Sequence, residues 1–100
     1  MDKGYSHNEN CCQDAVSYHN LGLTYYNLRE KEKALENLNR AIILNPKYAY
    51  AYGSRGTVYK DKGEKEKALV DLRKAADLFL QQNNTAYREQ ILEIIKQLVE

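Results

Sequence analysis

Residues 15–48 read AVSYHNLGLTYYNLREKEKALENLNRAIILNPKY, and residues 49–82 read AYAYGSRGTVYKDKGEKEKALVDLRKAADLFLQQ. These two stretches decide the fold because 13 of their 34 aligned positions are identical. In the first copy the identical positions are Ala15, Tyr18, Gly22, Tyr25, Glu30, Lys31, Glu32, Lys33, Ala34, Leu35, Leu38, Ala41 and Leu44. A fixed period of this length indicates a stacked repeat architecture.

Each copy predicts a pair of helices. Apolar and small residues recur at helical spacing in two stretches, which a charged run separates. The second stretch of the first copy stops at Asn45-Pro46, since a proline disfavours helix in the residue before it. In the second copy Gly63 ends the first stretch, and Leu80 takes the place of the proline. We therefore expect the fourth helix to run past Leu80.

Small residues recur at matching positions of the two helices in each pair. They are Gly22 and Ala34 in the first copy, and Gly56 and Ala68 in the second. We expect them to let two antiparallel helices approach closely while tyrosines pack around the contact.

This pattern resembles the tetratricopeptide repeat, with its signature W-x2-L-G-x2-Y…A-x3-F…A…P at a period of 34 residues. The first copy carries it as Tyr18, Leu21, Gly22, Tyr25, Ala34, Leu38, Ala41 and Pro46. The second copy carries it as Tyr52, Gly56, Tyr59, Ala68, Leu72 and Ala75. Tyrosine replaces the tryptophan in both copies, and Arg55 stands where leucine is usual. The resemblance covers residues 15–82.

The last segment, residues 83–100, does not continue the repeat but forms an amphipathic pattern. Its apolar stripe consists of Tyr87, Ile91, Ile94, Ile95 and Leu98. Asn84 or Thr85 can cap its start. The resemblance implies that this is a capping helix, which covers the apolar flank of the last helix pair.

Two further apolar residues, Leu92 and Val99, widen this stripe beyond what packing on one helix needs. We expect them to cover the end of the fourth helix near Phe79 and Leu80. The alternative is that they stay exposed and pair with another copy or with a further segment.

The N-terminus predicts a flexible segment over residues 1–9. A capping box at Asn10 and Gln13 predicts that the first helix begins near Asn10. The domain is then 10–100, with repeats at 15–48 and 49–82 and the capping helix at 83–100. The resemblance implies an all-α fold of five helices in a right-handed α-α superhelix, a TPR-like solenoid.

Composition limits the function. One hundred residues make one domain, and 43% hydrophobic with 29% charged residues is typical of a soluble globular protein. The net charge of +1 argues against nucleic acid or anionic lipid as a partner. No apolar run reaches a membrane-spanning length, and residues 1–12 lack the apolar core of a signal peptide. We therefore expect a cytoplasmic protein with no membrane contact.

The chain offers no recognisable catalytic constellation. We find no nucleophile–base pair in a known context, no phosphate-binding loop and no paired zinc ligands. Cys11 and Cys12, with His7 or His19, could suggest a metal or redox site, but exposed reduced thiols are the expected state. The sequence therefore predicts no enzyme activity, no cofactor and no metal.

The resemblance also implies a binding groove, because the first helix of each tetratricopeptide pair lines the concave face. We call the mapped positions the groove residues. They are Val16, His19, Leu23, Tyr26 and Asn27, then Tyr50, Gly53, Thr57, Lys60 and Asp61, then Asn84, Tyr87, Arg88 and Ile91. This mixture of aromatic, apolar and amide groups suits an extended peptide or a partner helix.

One subset of the family grips the C-terminal carboxylate of heat-shock chaperones with lysine, asparagine and arginine. The matching positions here are His19, Leu23, Ser54, Asn84 and Arg88, of which only Arg88 agrees. One donor does not make a clamp, so we expect a different ligand.

The function predicted from these observations is a protein–protein interaction module, a scaffold or adaptor that holds a partner segment in its groove. The alternative is a self-associating structural unit or a fragment of a longer array, because arrays of two repeats are short. RNA binding is disfavoured by the near-neutral charge. We expect a monomer or, at most, a weak homodimer.

Overall fold

The computed structural model describes the backbone of residues 3–100 and the side chains of residues 14–100. The backbone of residues 3–100 contains five α-helices and no β-strand. They are α1 (Lys3–Asn27), α2 (Lys31–Leu44), α3 (Ala49–Asp61), α4 (Lys65–Gln81) and α5 (Thr85–Val99). Helices α1 and α2 pack as one pair, α3 and α4 as the next, and α5 packs on α4. Helix α3 also contacts α1 and α2, which joins the pairs into the expected α-α superhelix.

The first helix starts earlier than its sequence predicts. Helix α1 begins at Lys3 rather than near Asn10, so that predicted boundary is wrong. No proline separates Lys3 from Asn10, so nothing stops the helix from extending toward the N-terminus. The side chains of the predicted capping box, of Cys11 and Cys12 and of His7 lie outside the described residues. The division into a flexible segment 1–9 and a domain 10–100 stays a prediction.

Three helices end in the same tight turn. Just past α1, α3 and α4, the residues Arg29, Gly63 and Asn83 have left-handed backbone, with φ of 66°, 83° and 58°. In each turn the next amide donates to the carbonyl five residues earlier, at 2.8–2.9 Å. These bonds satisfy carbonyls that the helix end leaves without partners. Gly63 therefore ends α3 as the sequence predicts.

The second helices of the two pairs differ in length. Helix α2 has 14 residues and ends before Asn45-Pro46, whereas α4 has 17 and runs to Gln81. This confirms the prediction that the fourth helix continues past Leu80. The three additional residues follow from the absence of the proline that stops α2.

Small residues set the close approach within each pair. A Cβ atom placed on Gly22 would lie 2.9 Å from Cγ of Leu38, and one on Gly56 would lie 2.8 Å from Cγ of Leu72. Such distances leave no room for a side chain. The partner residues Ala34 and Ala68 are fully buried. The predicted packing role of the small residues is confirmed.

The tyrosines at signature positions pack around these contacts. Tyr18, Tyr25, Tyr52 and Tyr59 are half-buried against the three apolar clusters of the core. A cation lies over each ring at 5.5–5.7 Å from its centroid, which adds to the packing. Tyr52 also donates to the carbonyl of Pro46 at 3.0 Å, across the connection between the repeats.

A buried ion pair distinguishes the second repeat. Arg55 binds Asp71 through two parallel bonds, Nε to Oδ2 at 2.7 Å and a terminal nitrogen to Oδ1 at 2.8 Å. Its other terminal nitrogen donates to Oδ1 of Asn39, in the first repeat, at 2.9 Å. The bond to Asp71 raises the pKa of Arg55 further above its ordinary value. Arg55, the departure from the leucine of the family pattern, therefore ties α3 to both α4 and α2.

Helix α5 covers the last pair on one side. Asn84 caps it, accepting from the amide of Tyr87 at 3.4 Å, and Ile91 is buried in the core cluster of the second repeat. The expectation that Leu92 and Val99 cover the end of α4 is wrong. They are 38% and 53% exposed, and Leu80 is 56% exposed. Ile91, Ile94, Ile95 and Leu98 already supply the face that packs on the core, so Leu92 and Val99 at the edge of the stripe stay largely exposed.

Candidate binding groove

Three aromatic rings from three helices meet beside the start of α5. The ring of Tyr50 lies edge-on to Tyr87 at 4.9 Å and to Phe79 at 5.1 Å between centroids. Phe79 and Tyr87 stack at 5.5 Å with 19° between their planes. Edge-to-face and stacked contacts of this kind favour a fixed arrangement of the rings. The side chain of Asn84 stabilises it further, donating to the Tyr50 hydroxyl at 3.3 Å.

These rings form one wall of a cavity of about 180 Å³ that we call the aromatic pocket. It is lined by Tyr50, Gly53, Ser54, Thr57, Phe79, Tyr87, Gln90 and Ile91. Phe79 is fully buried, whereas Tyr87 is 43% exposed and borders the opening. A Cβ atom on Gly53 would lie 3.1 Å from Cδ1 of Ile91, so the Ile91 side chain of α5 packs directly against the backbone of α3 here. Five of the predicted groove residues thus meet at one site.

His19 connects α1 to this part of the molecule. It is only 8% exposed, and its Nε2 atom lies 2.8 Å from the hydroxyl of Ser54 on α3. Its ring meets Tyr48 edge-on at 5.4 Å between centroids. Burial lowers the pKa of His19 below its ordinary value of 6.5. The neutral imidazole therefore acts here as a buried bridge between the two repeats.

A second cavity, of about 410 Å³, lies where α1 and α3 end, and we call it the basic pocket. It is lined by Tyr26, Asn27, Arg29, Lys31 and Asp61. The Tyr26 hydroxyl donates a hydrogen bond to the carboxylate of Asp61, and this bond raises the pKa of Tyr26. The lining carries two cations and one carboxylate, so it has a net positive charge.

The predicted groove residues therefore fall into separate groups. Tyr50 and Tyr87 share the aromatic pocket, but Tyr26 lies at the basic pocket with Asn27 and Asp61. Neither cavity is lined by the remaining groove residues, which are Val16, His19, Leu23, Lys60, Asn84 and Arg88.

Sequence reasoning missed several lining residues. Phe79 and Gln90 line the aromatic pocket but are not among the groove residues. Arg29, in the turn after α1, and Lys31, at the start of α2, line the basic pocket and are not among them either. One signal was present, since Phe79 is the sole phenylalanine of the chain and falls in the extended part of α4. The other positions depend on how the pairs stack, which spacing within one helix does not reveal.

Metal-binding clusters and membrane-spanning helices are absent from the part of the chain that the structure describes. Among the described residues, no three histidine, cysteine or acidic side chains lie where they could hold a metal ion. No helix within that part combines the length and apolar character that crossing a membrane requires.

Comparison with known proteins identifies the family. Residues 15–48 and residues 49–82 each match a sequence profile described as tetratricopeptide repeat. The chain belongs to the tetratricopeptide repeat family. Repeats of this family generally mediate contacts between proteins, and the two matched segments coincide with the two copies found by self-comparison. No curated protein gives a significant match to this chain.

Solved structures agree with this assignment. The chain is similar to one described as "Crystal structure of MamA protein", with 29% identity and a TM-score of 0.62 over 86% of this chain. It is also similar to a second, "Crystal structure of MamA", with 27% identity and a TM-score of 0.62, again over 86% of this chain. It covers 53% and 57% of those two chains, so it spans about half of their length.

Proposed function

We propose that this tetratricopeptide repeat protein is a scaffold or adaptor that holds a peptide or helix of a partner protein in the groove lined by α1, α3 and α5. The observation that carries the proposal is the aromatic pocket, where the half-exposed rings of Tyr87 and Tyr50 pack against buried Phe79. Aromatic residues that are held rigidly and open to solvent at one edge are the usual anchors of protein interfaces.

The size of the aromatic pocket supports a peptide rather than a small molecule. Its volume of about 180 Å³ is below the range of roughly 300–1,000 Å³ that is typical of small-molecule sites. It has room for one large side chain of a longer ligand. Ser54, Thr57 and Gln90 border the same space and can bind the main chain of such a ligand.

The proposed contact surface consists of eleven of the groove residues. Its predicted members are Val16, His19, Leu23, Tyr26, Asn27, Tyr50, Thr57, Lys60, Tyr87, Arg88 and Ile91. The proposal includes a cytoplasmic location, no catalytic step and no nucleic-acid or membrane partner. The net charge of +1 supports the last point.

The test is affinity capture from native lysate with the wild type and two variants of α5. Tyr87→Ala removes the exposed ring of the aromatic pocket, and Leu92→Ala removes an apolar residue of similar exposure that does not line it. We expect Tyr87→Ala to lose at least about tenfold in the recovery of a specific protein, because truncated anchors commonly cost about 2 kcal/mol. Leu92→Ala should retain it, and both variants should keep the helical circular-dichroism signal. Equal recovery with both variants would place the binding surface elsewhere.

Self-association is the second candidate, and the exposed apolar side chains of Leu80, Leu92 and Val99 favour it. We expect this contact to be weak, because three apolar residues make a small patch. Size-exclusion chromatography over a concentration series measures it. A stable dimer that dissociates in a Leu92→Glu, Val99→Glu variant would favour this function over peptide binding.

A further inference from the structure

We infer that the peptide bound in this groove carries an acidic side chain about two to four residues from its large apolar residue, and that Arg29 and Lys31 bind that carboxylate. The inference rests on the proposed function, because it concerns the ligand of the same groove. It names the ligand's chemistry as an extended segment with one apolar anchor and one nearby aspartate or glutamate.

The first observation is that the cations of the basic pocket have no side-chain partner within residues 14–100. Among the side chains that the structure describes, neither Arg29 nor Lys31 forms an ion pair or a side-chain hydrogen bond. Lys62, at the nearby end of α3, binds both Glu32 and Glu64. The one carboxylate in the pocket, Asp61, already accepts from Tyr26. The two cations are therefore available to an anionic group of a ligand.

The second observation is the backbone of Arg29. Its φ of 66° is left-handed, a conformation that side chains other than glycine adopt at a cost. The second repeat has Gly63 at the equivalent position, with a φ of 83°. Glycine would therefore serve the turn after α1 without strain. Strained residues cluster at functional sites, and Arg29 lines the basic pocket.

The spacing follows from α3, which contributes residues to both cavities. Gly53 and Thr57 line the aromatic pocket, and Asp61 lines the basic pocket. Four to eight helical residues at about 1.5 Å each separate them by roughly 6–12 Å along the helix axis. An extended peptide advances about 3.3–3.6 Å per residue, so about two to four residues span that distance.

The experiment selects ligands from a display library of random peptides and then measures the affinity of the best one by fluorescence anisotropy. We expect enrichment of an aromatic or large aliphatic residue with an aspartate or glutamate two to four positions away. The peptide is synthesised with both ends blocked, so that only a side chain can supply the negative charge. Replacing its acidic residue with the amide should weaken binding about fivefold at low salt and less at high salt.

Two protein variants test the cations, and one of them has a matched control in the other repeat. Arg29→Gly and Lys31→Gln should each weaken binding of the acidic peptide about threefold to fivefold, but should not affect the amide peptide. Lys65→Gln, at the position equivalent to Lys31, should leave both affinities unchanged. Arg29→Gly also removes the backbone strain, so its melting temperature should not fall. A loss of affinity in that variant is then not a loss of folded protein.

Selected peptides that depend on Tyr87 but show no acidic residue at this spacing would overturn the inference and leave the proposed function intact. The same holds for an affinity that Arg29→Gly and Lys31→Gln do not change, or for a requirement for a free terminal carboxylate. Failure to select any peptide, or binding that Tyr87→Ala does not weaken, would overturn the proposed function as well.

Discussion

The two repeats are alike where their helices touch and different around that contact. The glycine of the first helix meets the leucine of the second with almost the same clearance in both, Gly22 with Leu38 and Gly56 with Leu72. Several positions beside this contact use different chemistry in the two repeats, although the charged run Glu30–Lys33 recurs as Glu64–Lys67. The close approach of two backbones thus fixes a few residue types, whereas some of their neighbours differ.

The clearest difference between the repeats lies at the residue before the packing glycine, which is Gly22 in the first repeat and Gly56 in the second. The first repeat has Leu21, and its α2 position that corresponds to Asp71 is Asn37, whose side chain donates to the carbonyl of Lys33 at 2.9 Å. The second repeat has Arg55 and Asp71 as a buried ion pair. Both positions differ between the repeats, because a buried carboxylate at position 71 would be costly without the cation at position 55.

The largest effect we expect comes from breaking this pair. In Arg55→Leu, the side chain of Asp71, only 4% exposed, loses its cation, and the free energy of unfolding should fall by about 3 kcal/mol. The measurement is urea unfolding followed by circular dichroism.

The double variant Arg55→Leu, Asp71→Asn transplants the residues of the first repeat and serves as the control. It should recover most of the loss, since asparagine can bond its own helix as Asn37 does. A double variant no more stable than the single one would show that the two repeats are not interchangeable at these positions.

The second prediction concerns the shared contact. Ala34→Leu and Ala68→Leu insert a large side chain at equivalent, fully buried positions, and each should lower the free energy of unfolding by about 1–3 kcal/mol. Lys33→Leu, beside the first site but exposed, should stay within about 0.5 kcal/mol of the wild type. Thermal unfolding gives the comparison. A difference of more than about 2 kcal/mol between the two alanine variants would contradict the equivalence of the contacts.

A third prediction exchanges the turn residues. Arg29→Gly should raise the free energy of unfolding by about 0.5–1 kcal/mol, and Gly63→Arg should lower it by about 1 kcal/mol. No atom lies within 4 Å of a Cβ placed on Gly63, so the cost there is one of backbone conformation alone. Denaturant midpoints of the two variants measure both changes. If both variants shifted in the same direction, the turns would not be equivalent.

The smallest effect should be a dependence on pH that originates in the first repeat. Burial lowers the pKa of His19, so the unfolded chain binds a proton more readily than the folded one. Its contribution to stability is therefore present above about pH 6.5 and is lost as the pH falls below that value. The second repeat has Gly53 at the equivalent position, and this residue contributes no pH dependence to the stability.

Unfolding free energies of the wild type and of His19→Gln, measured between about pH 7.5 and pH 5.5, test this prediction. Glutamine can keep a hydrogen bond to Ser54 but does not titrate. The wild type should lose more stability than the variant over this range, and identical pH profiles would assign no such role to His19.

Much of the fold could be predicted from the sequence, because the constraints are local and occur twice. The proline at position 46 ends α2, its absence lets α4 continue to Gln81, and Gly63 ends α3. The start of α1 was missed because a possible cap at Asn10 does not prevent a helix from extending further. Arg29 was not recognised as a turn residue, since its type does not indicate left-handed backbone.

The candidate site was predicted only in part. Mapping the groove onto the first helix of each pair and onto α5 found Tyr50, Tyr87 and Ile91, which all line the aromatic pocket. It did not find Phe79, which reaches the pocket from α4. It also did not find the contacts of the predicted groove residue His19 with Ser54 and Tyr48.

By itself, the sequence determined the repeat, the family and the ends of α2 and α3, since these follow from residue spacing and from backbone rules that act over a few residues. Only the tertiary structure decided which side chains meet. The ion pair of Arg55 with Asp71, the ring cluster of the aromatic pocket and the unpaired cations at the basic pocket depend on how one helix is rotated and shifted against the next. That placement results from the packing of whole faces, in which every contact constrains the others, and no single spacing encodes it.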